Sequence, residues 1–119
     1  MGADVATVDI DGDNVVLKLS RMESVEAVHI HTISAPVSAV QSVIGVNDPW
    51  PDLRGVKEVG TEVPGHNMIG TKVGDGFKDF CAVHKHDPAV IITFDPASSD
   101  YNRWVFTGDI NDVPAELKR

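Results

Sequence analysis

Cysteine is nearly absent from this sequence, which contains one, Cys81, among 119 residues. A single cysteine forms no internal disulfide and offers no CxxC pair. The apolar runs, such as residues 89–92, are far shorter than the roughly 20 residues that a membrane helix needs. Residues 1–10 have neither a basic start nor an apolar stretch and so do not resemble a signal peptide. These absences predict a protein of the reducing cytoplasm.

Positive charge is also scarce. The sequence has 10 lysines and arginines against 18 acidic residues, which gives a formal net charge of -8. Such a chain repels phosphate groups at long range. We therefore expect neither a nucleic acid nor an anionic membrane to be its partner.

What the sequence does contain is a series of short alternating segments. Hydrophobic residues make up 42% of it, enough for a single domain over residues 1–119 with one core. Asp11-Gly12 lies between residues 7–10 and 15–19, a pattern typical of a β-hairpin. Ser20 and Glu23 then form an S-x-x-E capping box, which predicts a short helix over residues 21–28.

The rest of the chain is predicted to be mainly strand. The predicted strands cover residues 29–35, 41–46, 68–73, 77–84, 89–94 and 101–107, and a helical turn follows at 114–117. Residues 47–63, with Trp50 between two prolines, are predicted to form one long loop. Many short strands with little helix indicate a mainly β (α+β) fold, either a small antiparallel barrel or a sandwich.

Several motifs resemble those of bacterial pleckstrin-homology-like (PH-like) domains. The stretch PVSAVQSV at residues 36–43 is similar to the segment that joins two early strands in such domains. The motifs DPW at 48–50, PG at 64–65, GT at 70–71, KDF at 78–80 and PAVII at 88–92 resemble a group of small actinobacterial proteins of this kind. The resemblance covers roughly residues 13–117 and implies a small antiparallel PH-like barrel with a short C-terminal helix, but no activity.

Two departures from that family affect the expected function. Few residues follow Asp112, so the helix that closes one mouth of a PH-like barrel is short and the mouth is left under-covered. Asp9, Asp11 and Asp13 occupy the first hairpin, where a phosphoinositide-binding relative carries basic residues. We therefore expect no binding to phosphoinositide membranes.

The histidines form the most suggestive polar set. His29 and His31, like His84 and His86, are spaced as H-x-H, which places both rings on one side of a strand. Two such strands could offer four nitrogens to zinc or another transition metal. Histidines that only form hydrogen bonds are the simpler interpretation, so we expect no metal site and no cofactor.

A ligand or partner could instead meet a small basic zone beside the glycine-rich segment. The basic zone consists of Arg54, Lys57, Lys72 and Lys78. The candidate ligand or partner residues are Trp50, Arg54, His66, Lys72 and Lys78. Trp50 either pins its loop onto the sheet, the interpretation we favour, or presents its ring to a partner.

The expected function is that of a non-catalytic cytoplasmic interaction or scaffold domain. The sequence has no G-x-S-x-G elbow, and Cys81 in an alternating apolar strand is typical of a core residue, so we expect no enzyme. The partner would be another protein or a second copy of the chain, met through an exposed strand edge or the barrel mouth. The alternative is a small-molecule or transition-metal-binding protein that uses the paired H-x-H strands. A hydrolytic enzyme ranks third.

Overall fold

The computed structural model describes residues 5–28 and 30–118. They form two mainly antiparallel sheets around one core. The first sheet has three strands in the order β1-β2-β3, and the helix α1 lies between its last two strands in the chain. Their bounds are β1 Thr7–Asp11, β2 Asn14–Lys18, α1 Arg21–Glu26 and β3 Thr32–Pro36. The Asp-Gly hairpin and the capped helix are therefore confirmed, although the helix is shorter than predicted.

The second sheet has six strands in the order β4-β8-β9-β7-β6-β5. Their bounds are β4 Val40–Val46, β5 Val56–Val63, β6 Asn67–Gly74, β7 Phe77–His84, β8 Ala89–Phe94 and β9 Arg103–Thr107. Neighbouring strands are antiparallel except β7 and β9, which run parallel because β9 inserts between β8 and β7. The strands β5 and β4 are the two edges of this sheet.

The core lies between the two sheets and follows the alternation of each strand. In β9, Trp104 and Phe106 enter the main core, whereas Val105 between them faces the other side of the sheet. In β7, Phe80 and Ala82 face the main core in the same way. Val15 and Leu17 of β2 cover this core from the three-stranded sheet.

The outer side of the six-stranded sheet carries a second, smaller apolar cluster. It consists of Val83, Ile91 and Val105, covered by Val46, Trp50 and Leu53 of the segment that follows β4. A short 3-10 helix at Trp50–Asp52 shapes this segment. The loop therefore packs along the sheet instead of extending away from it.

Three expectations need correction. Among the described residues no ladder joins the two sheets, so the barrel expected from the PH-like resemblance is not closed and the expected barrel mouth is not formed. The predicted loop ends earlier than expected, because residues 56–63 form β5 and pair with β6. The chain end carries two short 3-10 helices, Ile110–Asp112 and Ala115–Leu117, and Leu117 of the second is buried in the main core.

Within the described part of the chain, no helix has the length and apolar character needed to cross a membrane.

Candidate functional site

The histidines considered as metal ligands contact separate partners. His31 Nδ1 lies 2.7 Å from Ser24 Oγ, and His84 Nε2 lies 2.6 Å from Glu23 Oε2. His86 Nδ1 lies 2.9 Å from Asp48 Oδ2, in a different loop, and His29 lies outside the described residues. Among the side chains that the structure describes, no three His, Cys, Asp or Glu residues are grouped as a metal would require.

Two cations of the predicted basic zone, Arg54 and Lys72, are paired with carboxylates of the same chain. Arg54 donates two hydrogen bonds to the buried carboxylate of Asp79, at 2.7 and 3.0 Å, and this contact raises the pKa of Arg54. Lys72 is itself buried and donates to Glu62 at 2.8 Å. These pairs engage Arg54 and Lys72, whereas Lys57 has no ion pair among the described residues.

The other candidate residues of this zone lie apart from one another. The ammonium group of Lys78 lies 5.1 Å from the ring centre of Tyr101, near the start of β7. His66 lies near the opposite end of β7, where its carbonyl accepts from the backbone N–H of Lys85. Because β7 spans eight residues, the two ends are separated by roughly 20 Å. The five predicted ligand residues therefore do not form one site.

Trp50 pins its loop onto the sheet, the interpretation that the sequence favoured. Its indole N–H donates to the carbonyl of Lys85 at 2.5 Å, and its ring packs on the outer apolar cluster. The backbone N–H of Trp50 donates to Asp48 Oδ1, which lowers the pKa of that carboxyl group, and Asp48 also holds His86. These contacts fix the loop, and they occupy the indole N–H that a partner could otherwise accept from.

The helix α1 buries two of its polar residues and leaves its apolar residues exposed. Glu23 and Ser24 are buried, whereas Met22, Val25 and Val28 are each more than half exposed. Apolar residues at helical spacing ordinarily face a core, so this helix is inverted. Its apolar side is left without a cover in the described structure.

A buried carboxylate explains the inversion. Glu23 accepts the backbone N–H of Ser20 at 2.9 Å, completing the capping box, and its second oxygen meets His84 of β7. The hydrogen bond with Glu23 is the main cause of a raised pKa at His84. The contact with His84 requires Glu23 to face the sheet, and this turns the apolar side of the helix outward.

The edge strand β5 carries a second exposed apolar feature. Val56, Val59 and Val63 are 68%, 37% and 49% exposed, and we call these three side chains the valine face. Apart from its ladder with β6, the backbone of residues 56–62 has no hydrogen bond to another described segment. Local patterns did not predict this edge strand, because Gly60 and the charged residues of β5 give residues 56–63 the composition of a loop.

The apolar side of α1 and the valine face lie close together. Thr61 Oγ1 donates to the carbonyl of Glu26, the last residue of α1, at 3.0 Å. Beyond the bulge at Glu58, side chains alternate, so Thr61 shares its face of β5 with Val59 and Val63. The end of α1 therefore lies beside the valine face.

Little in this arrangement suggests catalysis. The hydroxyl group of Ser24 contacts the imidazole of His31, but Ser24 is buried, so a substrate would not reach this hydroxyl group. An open groove of about 540 Å³ beside the start of β8 has Asp87 and Asp109 as its ionisable side chains, a poor match for an anionic ligand. The feature most open to a partner is the β5 edge with its valine face.

Comparison of this chain with protein-family models, with curated proteins and with solved structures found no match. Its assignment to the PH-like family therefore stays a prediction from its motifs.

Proposed function

We propose that this chain is a non-catalytic interaction domain that binds a protein partner by adding a strand to the β5 edge. The observation that carries this proposal is the free edge of β5, an eight-residue strand whose outer backbone groups meet no other described segment. Such an edge is a template for an extended chain, which gains backbone hydrogen bonds along its length.

The exposed apolar side chains around this edge support the same function. The valine face and the apolar side of α1 lie side by side, and burying an exposed valine contributes about 1.5 kcal/mol or more. Soluble monomers rarely leave such residues grouped without a partner.

The conformation of Val28 adds a further argument. Its φ angle is 63°, in the left-handed region, where a β-branched side chain is strained. Glycine would adopt this conformation without that cost, yet the chain carries an exposed valine there. An apolar side chain held at an energetic cost on the surface suits a contact with a partner.

The opposite edge of the sheet is less suited to strand addition. Beside β4, the chain end packs closely enough that a side chain added at Gly45 would lie 3.0 Å from Ile110. The residues of the 3-10 helices at the chain end lie beside this strand. The chain end therefore covers part of the surface around β4, whereas the corresponding exposed surface at β5 is the valine face.

Amide hydrogen exchange measured by NMR tests the proposal. The probe is an eight-residue peptide of alternating valine and threonine, and a glycine–serine peptide of equal length is the control. We expect the valine–threonine peptide to slow exchange of the outward-facing amides of β5, because they gain hydrogen bonds. The amides of β7, an internal strand, should not change.

Two matched variants localise the effect. Val59→Lys should weaken peptide binding by removing part of the valine face, whereas Ile44→Lys, at an exposed position on β4, should leave it unchanged. If the peptide protected β4 and left β5 unaffected, or protected neither strand at millimolar concentration, the proposal would be wrong.

A further inference from the structure

We propose that the strand added to β5 is β5 of a second copy of this chain, paired antiparallel about a two-fold axis at Gly60. This inference rests on the function proposed above and names its partner. It follows from the bulge in β5, from the charges along the strand and from the number of residues that each register can pair.

The bulge determines which residues of β5 can face each other. Lys57 pairs with Lys72 of β6, but the next pair is Val59 with Thr71, so Glu58 is an extra residue. In an antiparallel ladder, two residues face each other only when the backbone N–H and C=O groups of both point towards the partner strand or both point away from it. Along each strand these two orientations alternate. The extra residue moves that alternation by one position.

The residues of β5 consequently fall into two sets. One set consists of Val56, Val59, Thr61 and Val63, and the other of Lys57, Gly60 and Glu62. A two-fold axis must pair each residue with a member of its own set. An axis at Gly60 satisfies this condition for all seven ladder positions.

This register brings together side chains that suit each other. Val56 meets the partner's Val63, Val59 meets the partner's Thr61, and Lys57 meets the partner's Glu62. Each of these pairs occurs twice by symmetry. Valine pairs, valine–threonine pairs and opposite charges all stabilise antiparallel strands when they face each other.

Lys57 is the residue that most needs this partner. Within its own chain it faces Lys72, a cation, and the described residues offer it no ion pair. Lys72 forms an ion pair with Glu62, and the side chain of Glu62 keeps 24% of its surface exposed. The partner's Lys57 would approach that remaining exposed surface of Glu62.

Other registers pair fewer residues and give up the charge match. An axis at Val59 pairs five positions and sets Lys57 against the partner's Gly60. An axis at Thr61 pairs five positions and sets Gly60 against the partner's Glu62. The register that uses the whole strand is thus also the one with complementary charges.

Disulfide cross-linking tests the register. Val56→Cys and Val63→Cys are made as separate variants at exposed positions, and each is oxidised alone and as an equal mixture. In the proposed register, a cysteine at 56 faces the partner's cysteine at 63, whereas two cysteines at 56 lie six ladder steps apart, roughly 20 Å. We expect the mixture to give about tenfold more covalent dimer than either variant alone. Cys81 is buried and common to all samples.

A charge change tests the contact of Lys57 with the partner's Glu62, which occurs near each end of the paired strands. Lys57→Glu places like charges opposite each other twice, and we expect it to weaken dimerisation about tenfold in sedimentation equilibrium. Lys18→Glu makes the same change in net charge at an exposed position in β2 and should leave dimerisation unchanged.

The outcomes separate this inference from the proposed function. Equal cross-linking of single variants and mixture, or equal weakening by both charge changes, would overturn the register. A chain that stays monomeric at millimolar concentration while β5 still binds the valine–threonine peptide would refute self-pairing and leave the proposed function standing. A monomeric chain whose β5 binds no peptide would refute both.

Discussion

Replacing Glu23 by glutamine tests what holds α1 on the sheet, because the change keeps the size of the side chain and removes its charge. The buried carboxylate has two partners, the backbone N–H of Ser20 at 2.9 Å and His84 Nε2 at 2.6 Å. A hydrogen bond between charged groups contributes about 1.5–3 kcal/mol. The His84 side chain is 24% exposed, so we expect Glu23→Gln to cost about 1–2 kcal/mol at about pH 5.5.

The size of this loss should depend on pH. The hydrogen bond with Glu23 raises the pKa of His84 above its ordinary value of 6.5. The contribution of the pair to stability is therefore fully present below pH 6.5 and is lost as the pH rises through the raised pKa of the folded chain. Urea unfolding at about pH 5.5 and about pH 9 should give a large difference between the native chain and Glu23→Gln at the lower pH and a small one at the higher.

A second histidine provides the control for this experiment. His86 also contacts a carboxylate, that of Asp48, but both side chains are largely in solvent. His86→Gln should change stability little at either pH, because exposed ion pairs contribute little. A loss from Glu23→Gln that was equal at both pH values would refute the reasoning.

Three further predictions follow from buried or strained residues. Asp79→Asn should cost about 2–3 kcal/mol in urea unfolding, because two arginines would lose their buried carboxylate, whereas Asp9→Asn, in an exposed pair, should cost less than about 0.5 kcal/mol. Val28→Gly should raise the free energy of unfolding by about 1 kcal/mol, because glycine adopts the left-handed backbone conformation without the strain of a β-branched side chain. An unchanged or lower melting temperature would contradict this. Burial raises the pKa of the Cys81 thiol to about 12, so iodoacetamide should alkylate it in urea and leave it unmodified in the native chain, as mass spectrometry can show.

Much of the secondary structure could be predicted from local patterns. The bounds of β7 and β8 match those predicted, because both strands have alternating or β-branched residues between clear turns. The capping box of α1 was also predicted, since Ser20 and Glu23 satisfy each other's backbone groups within one turn. In each case the determining contacts lie close together in the sequence.

The arrangement of the strands could not be predicted in the same way. The parallel pairing of β7 with β9 depends on where β9 inserts, and no local pattern in either strand specifies its neighbours. The strand β5 was predicted as loop because its charged residues and Gly60 disfavour a strand, whereas pairing with β6 supplies the backbone partners that local propensity lacks.

The candidate site shows the same division. Trp50 between two prolines already indicated a loop pinned by an aromatic ring, but the acceptor of its indole N–H lies 35 residues away. The basic residues near the glycine-rich segment looked like an anion site, yet Asp79 and Glu62 neutralise two of them. Charge counted along a sequence does not reveal which charges are paired in space.

The sequence by itself determined which short segments form strands, where α1 begins and that one core would suffice, because hairpin turns, capping and alternation act over a few residues. Only the tertiary structure decided which side of α1 faces outward and which strand is left at the edge. Both depend on contacts between distant residues. Glu23 meets His84 across 61 positions, and β5 lies at the edge because β6 is the one described strand that pairs with it.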